Sequence, residues 1–257
     1  MLPLNDPNPI VATESANYPD CMIFPSLIAL FLIANPVHAE TRGSFHDESG
    51  AGIVVTTGNS KAQNYNLSQV NTYGWNSHLL KFEGRYLDAS SNDELSARKW
   101  SLQLRYDREF SPELSLFYAQ TLESDIFSGY TQRYHSDLGG KYFIIRSDSL
   151  DWVAEAGARY TVENRIADQV RQIYTRLYSE ANRKFNKNSS LKLTGEYLQN
   201  LTNTADHQLN GELSLAAMLN EVFSVKTGYG IKYRSILLLP ATQRVDTQFT
   251  SAFVASF

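Results

Sequence analysis

The sequence predicts an all-β protein, a single antiparallel transmembrane β-barrel of about twelve strands behind an N-terminal signal peptide. Three observations carry that expectation. From Gly50 on, runs of 8–15 residues alternate with clusters of Asn, Asp, Gly, Ser and Pro, which favour turns. Along these runs, charge and apolar bulk alternate with period two. The chain also ends on Phe257, with Phe253 and Phe249 before it at spacings of four, where a terminus is ordinarily frayed and polar.

Bulk composition does not betray this. With 42% hydrophobic residues and a mean hydropathy of −0.33, the 257 residues look like a soluble globular protein. An alternating barrel has an unremarkable average, because every second residue is polar.

The first element is the apolar run at residues 23–34. It falls short of the roughly 20 residues that span a bilayer, and it matches the apolar region of a signal peptide. Val37 and Ala39 supply the small residues that signal peptidase reads, which places cleavage after Ala39. No Lys or Arg precedes Arg42, and residues 1–21 read as an upstream mis-start or a disordered extension, with Met22 the natural start. The expected organisation is therefore 1–21, a signal peptide at 22–39, and a barrel domain at 40–257. Removing residues 1–39 takes away Asp6, Glu14 and Asp20 and no basic residue, which moves the net charge from −4 to −1. No basic patch points to nucleic acid. Cys21, the only cysteine, leaves with the leader, so no disulfide framework or thiol nucleophile is expected.

The predicted strands are 50–57, 62–73, 77–88, 97–108, 113–124, 130–144, 149–163, 171–185, 190–201, 206–219, 222–235 and 243–257. Twelve is even, so both termini lie at one end, the periplasmic end of a bacterial barrel, together with the short links YGWNS, DREFSPE, RSDS, NKNSS and NE.

Charge decides the faces. One face of the clearest strands carries Lys81, Glu83 and Arg85; Lys99, Arg105 and Asp107; Arg133, Asp137 and Lys141; Asp151, Glu155, Arg159 and Glu163; Lys192 and Glu196; Glu212; Lys226, Lys232 and Arg234; and Arg244 and Asp246. The opposite face of the same stretches carries no charge and holds residues such as Leu80, Phe82, Leu102, Leu104, Leu138, Trp152, Ala156, Leu193, Leu213 and Ile231. A soluble sandwich alternates too, but it rarely keeps the period through strands this long. A bilayer explains the strictness, since Lys or Arg on the lipid face at the midplane costs about 2–4 kcal/mol. Trp152 and Tyr160, like Tyr134 and Tyr142, stand eight residues apart on the apolar face. That spacing rises roughly 20 Å along the membrane normal, close to the separation of two aromatic girdles. Three strands fit less well: Gln69 and Asn71 interrupt the apolar face of 62–73, neither face of 113–124 is clean, and 50–57 is short.

Closure abolishes the edges that lipid does not tolerate. It also accounts for the terminal aromatics: Phe249, Phe253 and Phe257 resemble the C-terminal signature read by the outer-membrane barrel assembly machinery. The expected partners are outer-membrane lipid and, during biogenesis, that machinery and periplasmic chaperones. The expected location is the outer membrane of a Gram-negative cell, reached through the periplasm.

Two stretches carry a resemblance. TTGNSKAQNYNLS, with Thr57, Gly58, Asn59, Ser60 and Gln63, resembles the opening of the salt-induced outer-membrane protein family, built on domain of unknown function 481. ESDIFSGYTQRYHSDLGGKY resembles its second landmark through Asp125, Phe127, Gly129, Tyr130, Arg133, Gly139 and Gly140. The resemblance covers roughly residues 45–257 and implies an outer-membrane barrel with no agreed activity.

Chemistry is sparse. His46 is expected to precede the barrel, His78 to sit at a periplasmic turn and His207 on the lipid side of the outer rim. His135 alone points inward, between Arg133 and Asp137, where a hydrogen-bond network is the expected role. No two histidines have metal-ligand spacing, so no catalytic, cofactor or metal site is expected. The lumen charges remain, with twelve basic and nine acidic. Barrels of eight strands are filled by side chains and those of sixteen to eighteen leave a wide channel. Twelve falls between, so Glu155, Arg159, Lys192 and Glu196 either pair and plug the interior or line a narrow pore with a mild anion preference. The leading expectation is a narrow passive channel for ions or small solutes. The alternative is a structural or envelope-stress barrel without transport, and an outer-membrane enzyme comes last.

Overall fold

The computed structural model describes residues 43–56, 62–92, 94–165, 168–237 and 243–257. The leader, its cleavage site after Ala39, and Thr57, Gly58, Asn59 and Ser60 lie outside the described residues. The described residues form twelve strands: β1 (Gly43–Thr56), β2 (Ala62–Trp75), β3 (His78–Ser91), β4 (Glu94–Glu109), β5 (Leu114–Asp125), β6 (Tyr130–Arg146), β7 (Leu150–Arg165), β8 (Gln169–Asn186), β9 (Ser189–Asn200), β10 (His207–Met218), β11 (Phe223–Arg234) and β12 (Val245–Ser256). Each pairs antiparallel with its sequence neighbour, and β12 returns to β1, closing the barrel. One 3-10 turn, Ile126–Ser128, joins β5 to β6.

The turns follow from residue type. Trp75 and His78 pair across the two-residue link Asn76–Ser77, and Asn76 takes φ 49°, a left-handed conformation that asparagine tolerates. Asn92 does the same at φ 52°. In the β5–β6 turn, Asp125 accepts a hydrogen bond from the Ser128 amide at 3.0 Å and Gly129 takes φ 91°.

Side chains alternate out and in. Leu138, Phe249 and Phe253 are 63%, 65% and 67% exposed on the outer surface. An apolar belt of this extent around a closed cylinder suits hydrocarbon rather than water. Aromatics rim it. Near one end Tyr73, Trp75, His78 and Tyr106 stack in series with ring centroids 5.2–6.4 Å apart. Near the other, His207 lies between Tyr197 and Tyr233, at 6.4 and 5.7 Å.

Two expectations are corrected. β1 starts at Gly43 rather than Gly50, so His46 is a strand residue opposite Thr72 and does not precede the barrel. The early half of β1 was hidden because its outward face is polar at Asp47 and Ser49. Asp47 and Ser49 face outward beside Gln69 and Asn71 of β2. Ser49 donates to Gln69 at 2.6 Å, and the Gln69 and Asn71 amides both donate to the Asp47 carboxylate. The backbone of Asp47 pairs with that of Phe257, so this patch sits at the barrel's terminal rim.

Candidate functional site

The inner surface of the barrel is the candidate site. Its densest part lines β4 to β9, where successive strands present opposite charges at the same height. Arg105 reaches Asp107 at 2.7 Å and Glu155 at 2.6 Å. Arg176 holds the other oxygen of Glu155 at 2.7 Å and Glu196 at 2.6 Å. Arg159 joins Glu196 at 3.0 Å to Asp137 at 2.7 Å. Asn210 donates to Glu196 at 2.8 Å and Lys141 approaches Asp107 at 3.5 Å. Each carboxylate is thus shared by at least two donors, the condition under which charges removed from water are tolerated.

A steric device supports this network. Gly139 and Gly157 face each other across β6 and β7, and Phe117 of β5 turns inward over them, fully buried. The Arg105 guanidinium stacks on the ring at 4.2 Å from its centroid, with Arg176 at 5.5 Å. The apolar ring presses the two cations against their carboxylates.

A second cluster lies above it. Arg133 pairs with Glu123 and with Glu163, the latter at 3.2 Å, and lies over the Tyr130 ring at 3.9 Å. Glu163 also takes Arg165 at 2.6 Å and Arg234 at 3.3 Å. His135 is buried with both ring nitrogens engaged, Nδ1 with Thr161 at 2.9 Å and Nε2 with Glu123 at 3.0 Å. Asp206 accepts from Tyr174 at 2.8 Å and from Asn200 at 3.0 Å.

The opposite wall is looser. Glu83 pairs with Lys81 at 2.9 Å and Arg85 at 2.6 Å, and Arg85 crosses the lumen to Glu212 at 3.4 Å. Lys226 pairs with Glu48 at 2.7 Å on this wall, while Lys192 pairs with Glu180 at 3.0 Å between β9 and β8. Lys99 crosses from β4 to donate to Gln248 on β12. Between these lie small uncharged inner residues: Gly50, Ser68, Gly228, Thr250 and Ala252.

The alternation places Lys81, Glu83, Arg85, Arg105, Arg133, His135, Asp137, Glu155, Arg159, Lys192, Glu196 and Glu212 on the inner face. It sets Phe249, Phe253 and Phe257 outward. Gly129, Tyr130 and Arg133 come together as one unit: the glycine turns the chain so that Tyr130 packs under Arg133. Glu155, Arg159, Lys192 and Glu196 all pair with residues of other strands: Glu155 with Arg105 and Arg176, Arg159 with Asp137 and Glu196, and Lys192 with Glu180. Glu48, Glu123, Asp125, Glu180, Asp206, Arg165 and Arg176 also belong to the inner set.

Those residues were missed for identifiable reasons. β8 alternates correctly through Gln172, Tyr174, Arg176, Tyr178 and Glu180, but Arg171 and Arg183 at its ends fall on the other face. β5 looked mixed because its inner face carries Phe117 and Ala119. Among the described residues, no group of three or more His, Cys, Asp and Glu side chains is gathered where it could hold a metal ion.

Comparison with known proteins agrees with this geometry. A family model described as "Protein of unknown function, DUF481" matches residues 49–257. No curated protein matches the sequence. Among solved structures, the NanC porin superposes with a TM-score of 0.52 at 9% identity, covering 82% of this chain and 98% of its own. The COG4313 outer membrane channel from Pseudomonas putida F1 gives 0.52 at 12% identity, covering 87% and 99%. At these identities the likeness concerns the fold, a closed β-barrel.

Proposed function

The chain belongs to the family described as Protein of unknown function, DUF481, and from that membership and the barrel's geometry we propose that it is a narrow passive channel for ions and small solutes in the outer membrane of a Gram-negative bacterium. The observation that carries the reading is the asymmetry of the lumen. The β4–β9 wall is filled by an arginine–carboxylate lattice. The β11–β2 side is lined by Gly50, Ser68, Gly228, Thr250 and Ala252, whose small side chains leave room for a passage beside the lattice. A passage of this kind passes small hydrated solutes by size and local charge.

No catalytic step belongs to the proposal. Of the inward strand histidines, His135 is committed through both nitrogens to Thr161 and Glu123, and His46 lies on β1 opposite Thr72, near the terminal rim. The partners in this reading are outer-membrane lipid and, during biogenesis, periplasmic chaperones and the barrel assembly machinery, which would read Phe249, Phe253 and Phe257.

One observation favours the alternative, a structural or envelope-stress barrel without transport: Arg85–Glu212 and Lys99–Gln248 both cross the lumen. Planar-bilayer recording of the refolded protein separates the two. The channel reading expects discrete conductance steps whose reversal potential moves toward cation preference in Lys99→Glu/Lys232→Glu. Silence over many insertions, with insertion shown independently, leaves the non-transporting barrel.

A further inference from the structure

The seam that closes the barrel is paired along only part of its length. β1 residues 48–51 ladder with β12 residues 256–253, and Asp47 and Phe257 exchange both backbone bonds at 2.9 Å. β1 continues to Thr56 and stays paired to β2 throughout, while β12 is paired to β11 from Val245 onward. Among the described residues, no ladder joins residues 52–56 to residues 245–252. The two backbones last touch at Gly52, where a Cβ would come 2.2 Å from the Ser251 carbonyl oxygen. The unpaired stretch begins midway along the belt, above the paired terminal rim, and so falls in the half toward the outer girdle. Open strand edges facing hydrocarbon are not left bare in membrane barrels, so something covers this one.

The surroundings state the chemistry of the occupant. Outside the gap, Ile53 and Phe249 are exposed and apolar. On its lumen side lie Gly52, Thr250 and Ala252, a strip of the inner wall without charge. Gln248 comes next on the inner face, held by Lys99 from across the lumen, and Lys232 lies beside it on β11. Asp125 and Asp246 stand opposite Lys99 and Lys232 in register, yet among the described residues neither lysine has a carboxylate oxygen within 4.0 Å. Lys99 and Lys232 are thus inner-face cations without an ion pair among the described residues, and they stand at the level of the gap.

We propose that the β1–β12 gap is a lateral port between the lumen and the outer leaflet, and that it binds a single-chain anionic amphipath, with the chain between Ile53 and Phe249 and the anionic head on Lys99 and Lys232. The inference rests on the barrel lying in a membrane and does not require that it conduct ions. A fatty carboxylate and a monoalkyl phosphate share the required chemistry.

The test is electron paramagnetic resonance of doxyl-labelled stearate with the protein in lipid nanodiscs, in a Cys21→Ser background. The expected result is a motionally restricted component that dodecanoate or dodecyl phosphate displaces and dodecyltrimethylammonium does not. Whichever anion displaces at lower concentration identifies the head. Lys99→Gln/Lys232→Gln weakens displacement at least tenfold. An Ile53→Cys/Ser251→Cys disulfide, placed where the ladder would have continued, removes the component, and reduction restores it. Amide hydrogen exchange of the unsubstituted protein supplies a second reading, with residues 52–56 and 247–251 exchanging faster than residues 48–51 and 253–256. A restricted component equal to that of a labelled zwitterionic lipid, or one untouched by both variants, overturns the port, as does uniform protection along the seam. Loss of the component with conductance intact removes the port and leaves the channel. A persistent component in a silent barrel does the reverse.

Discussion

Arg85 on β3 and Glu212 on β10 meet across the lumen at 3.4 Å, although four strands separate them on the shorter way round the barrel. Neighbouring strands are joined by many such pairs, but this one spans the lumen, and in a channel it would narrow the passage. Both side chains are open to water, 57% and 39% exposed, so the pair adds little to stability. Arg85→Ala is expected to raise single-channel conductance by about twofold by removing a charged constriction. The unfolding free energy from urea titration in lipid vesicles should change by no more than about 1 kcal/mol. A lower or unchanged conductance would show that the passage does not run past this pair.

Arg176 makes the contrasting prediction. It touches Glu155, Glu196 and, at 3.8 Å, Asp137, and it packs against Tyr178 and Phe117. Removing it strands carboxylates that no water reaches easily. Arg176→Ala is expected to destabilise the barrel by about 3–5 kcal/mol, the cost of breaking a buried ion pair from one side. Urea unfolding in vesicles, followed by tryptophan fluorescence, measures it. A loss below about 1 kcal/mol would mean that the lattice is solvated and the wall soft.

What the sequence made visible follows the same physics. β7 is legible because its inner residues Glu155, Arg159 and Glu163 are charged and its outer ones are Trp152, Ala154, Ala156 and Tyr160. The period-two rule needs only that contrast. Where the lumen takes bulky apolar groups, as at Phe117, or where the outward face at the terminal rim takes polar ones, as at Asp47 and Gln69, the contrast vanishes and the faces cannot be told apart. Pairings are beyond reach for another reason. The partners of Glu155 lie 50 and 21 residues away, brought level by the stagger of strands, which no local pattern encodes. The family landmark at residues 125–133 was visible as a motif, but its sense is spatial: a capped turn, a left-handed glycine and a tyrosine folded under an arginine.

Leu138 tests which way the strands face. It lies midway between Tyr134 and Tyr142 on β6 and is 63% exposed on the outer surface. Leu138→Arg is expected to cost about 2–4 kcal/mol in a bilayer. In detergent, where the micelle deforms around the charge, the loss should be smaller. Equal loss in both media would mean that the position is packed against protein rather than lipid.

Two glycines give predictions of opposite sign. At Gly157 an added Cβ would lie 2.3 Å from the Leu138 carbonyl oxygen and 2.8 Å from the Gly139 Cα, so it would strike backbone that cannot turn aside. At Gly139 the Phe117 ring stands 3.0 Å from the same kind of added atom, which means the ring occupies the space the two glycines leave. Gly157→Ala must therefore push β6 from β7 or lift Phe117 off its seat, and with it the stacked Arg105. Overpacking of this kind costs about 1–3 kcal/mol. At Gly195, on the outer face of β9, nothing stands within 4 Å of an added Cβ. There Gly195→Ala is expected to stabilise by about 0.4–1 kcal/mol, because it restricts the unfolded chain and meets no obstacle. Parallel urea titrations of the two variants in the same vesicles decide the matter. If both glycines respond alike, the close approach of β6 and β7 is not what seats Phe117, and the arginine lattice must be held in place by its ion pairs alone.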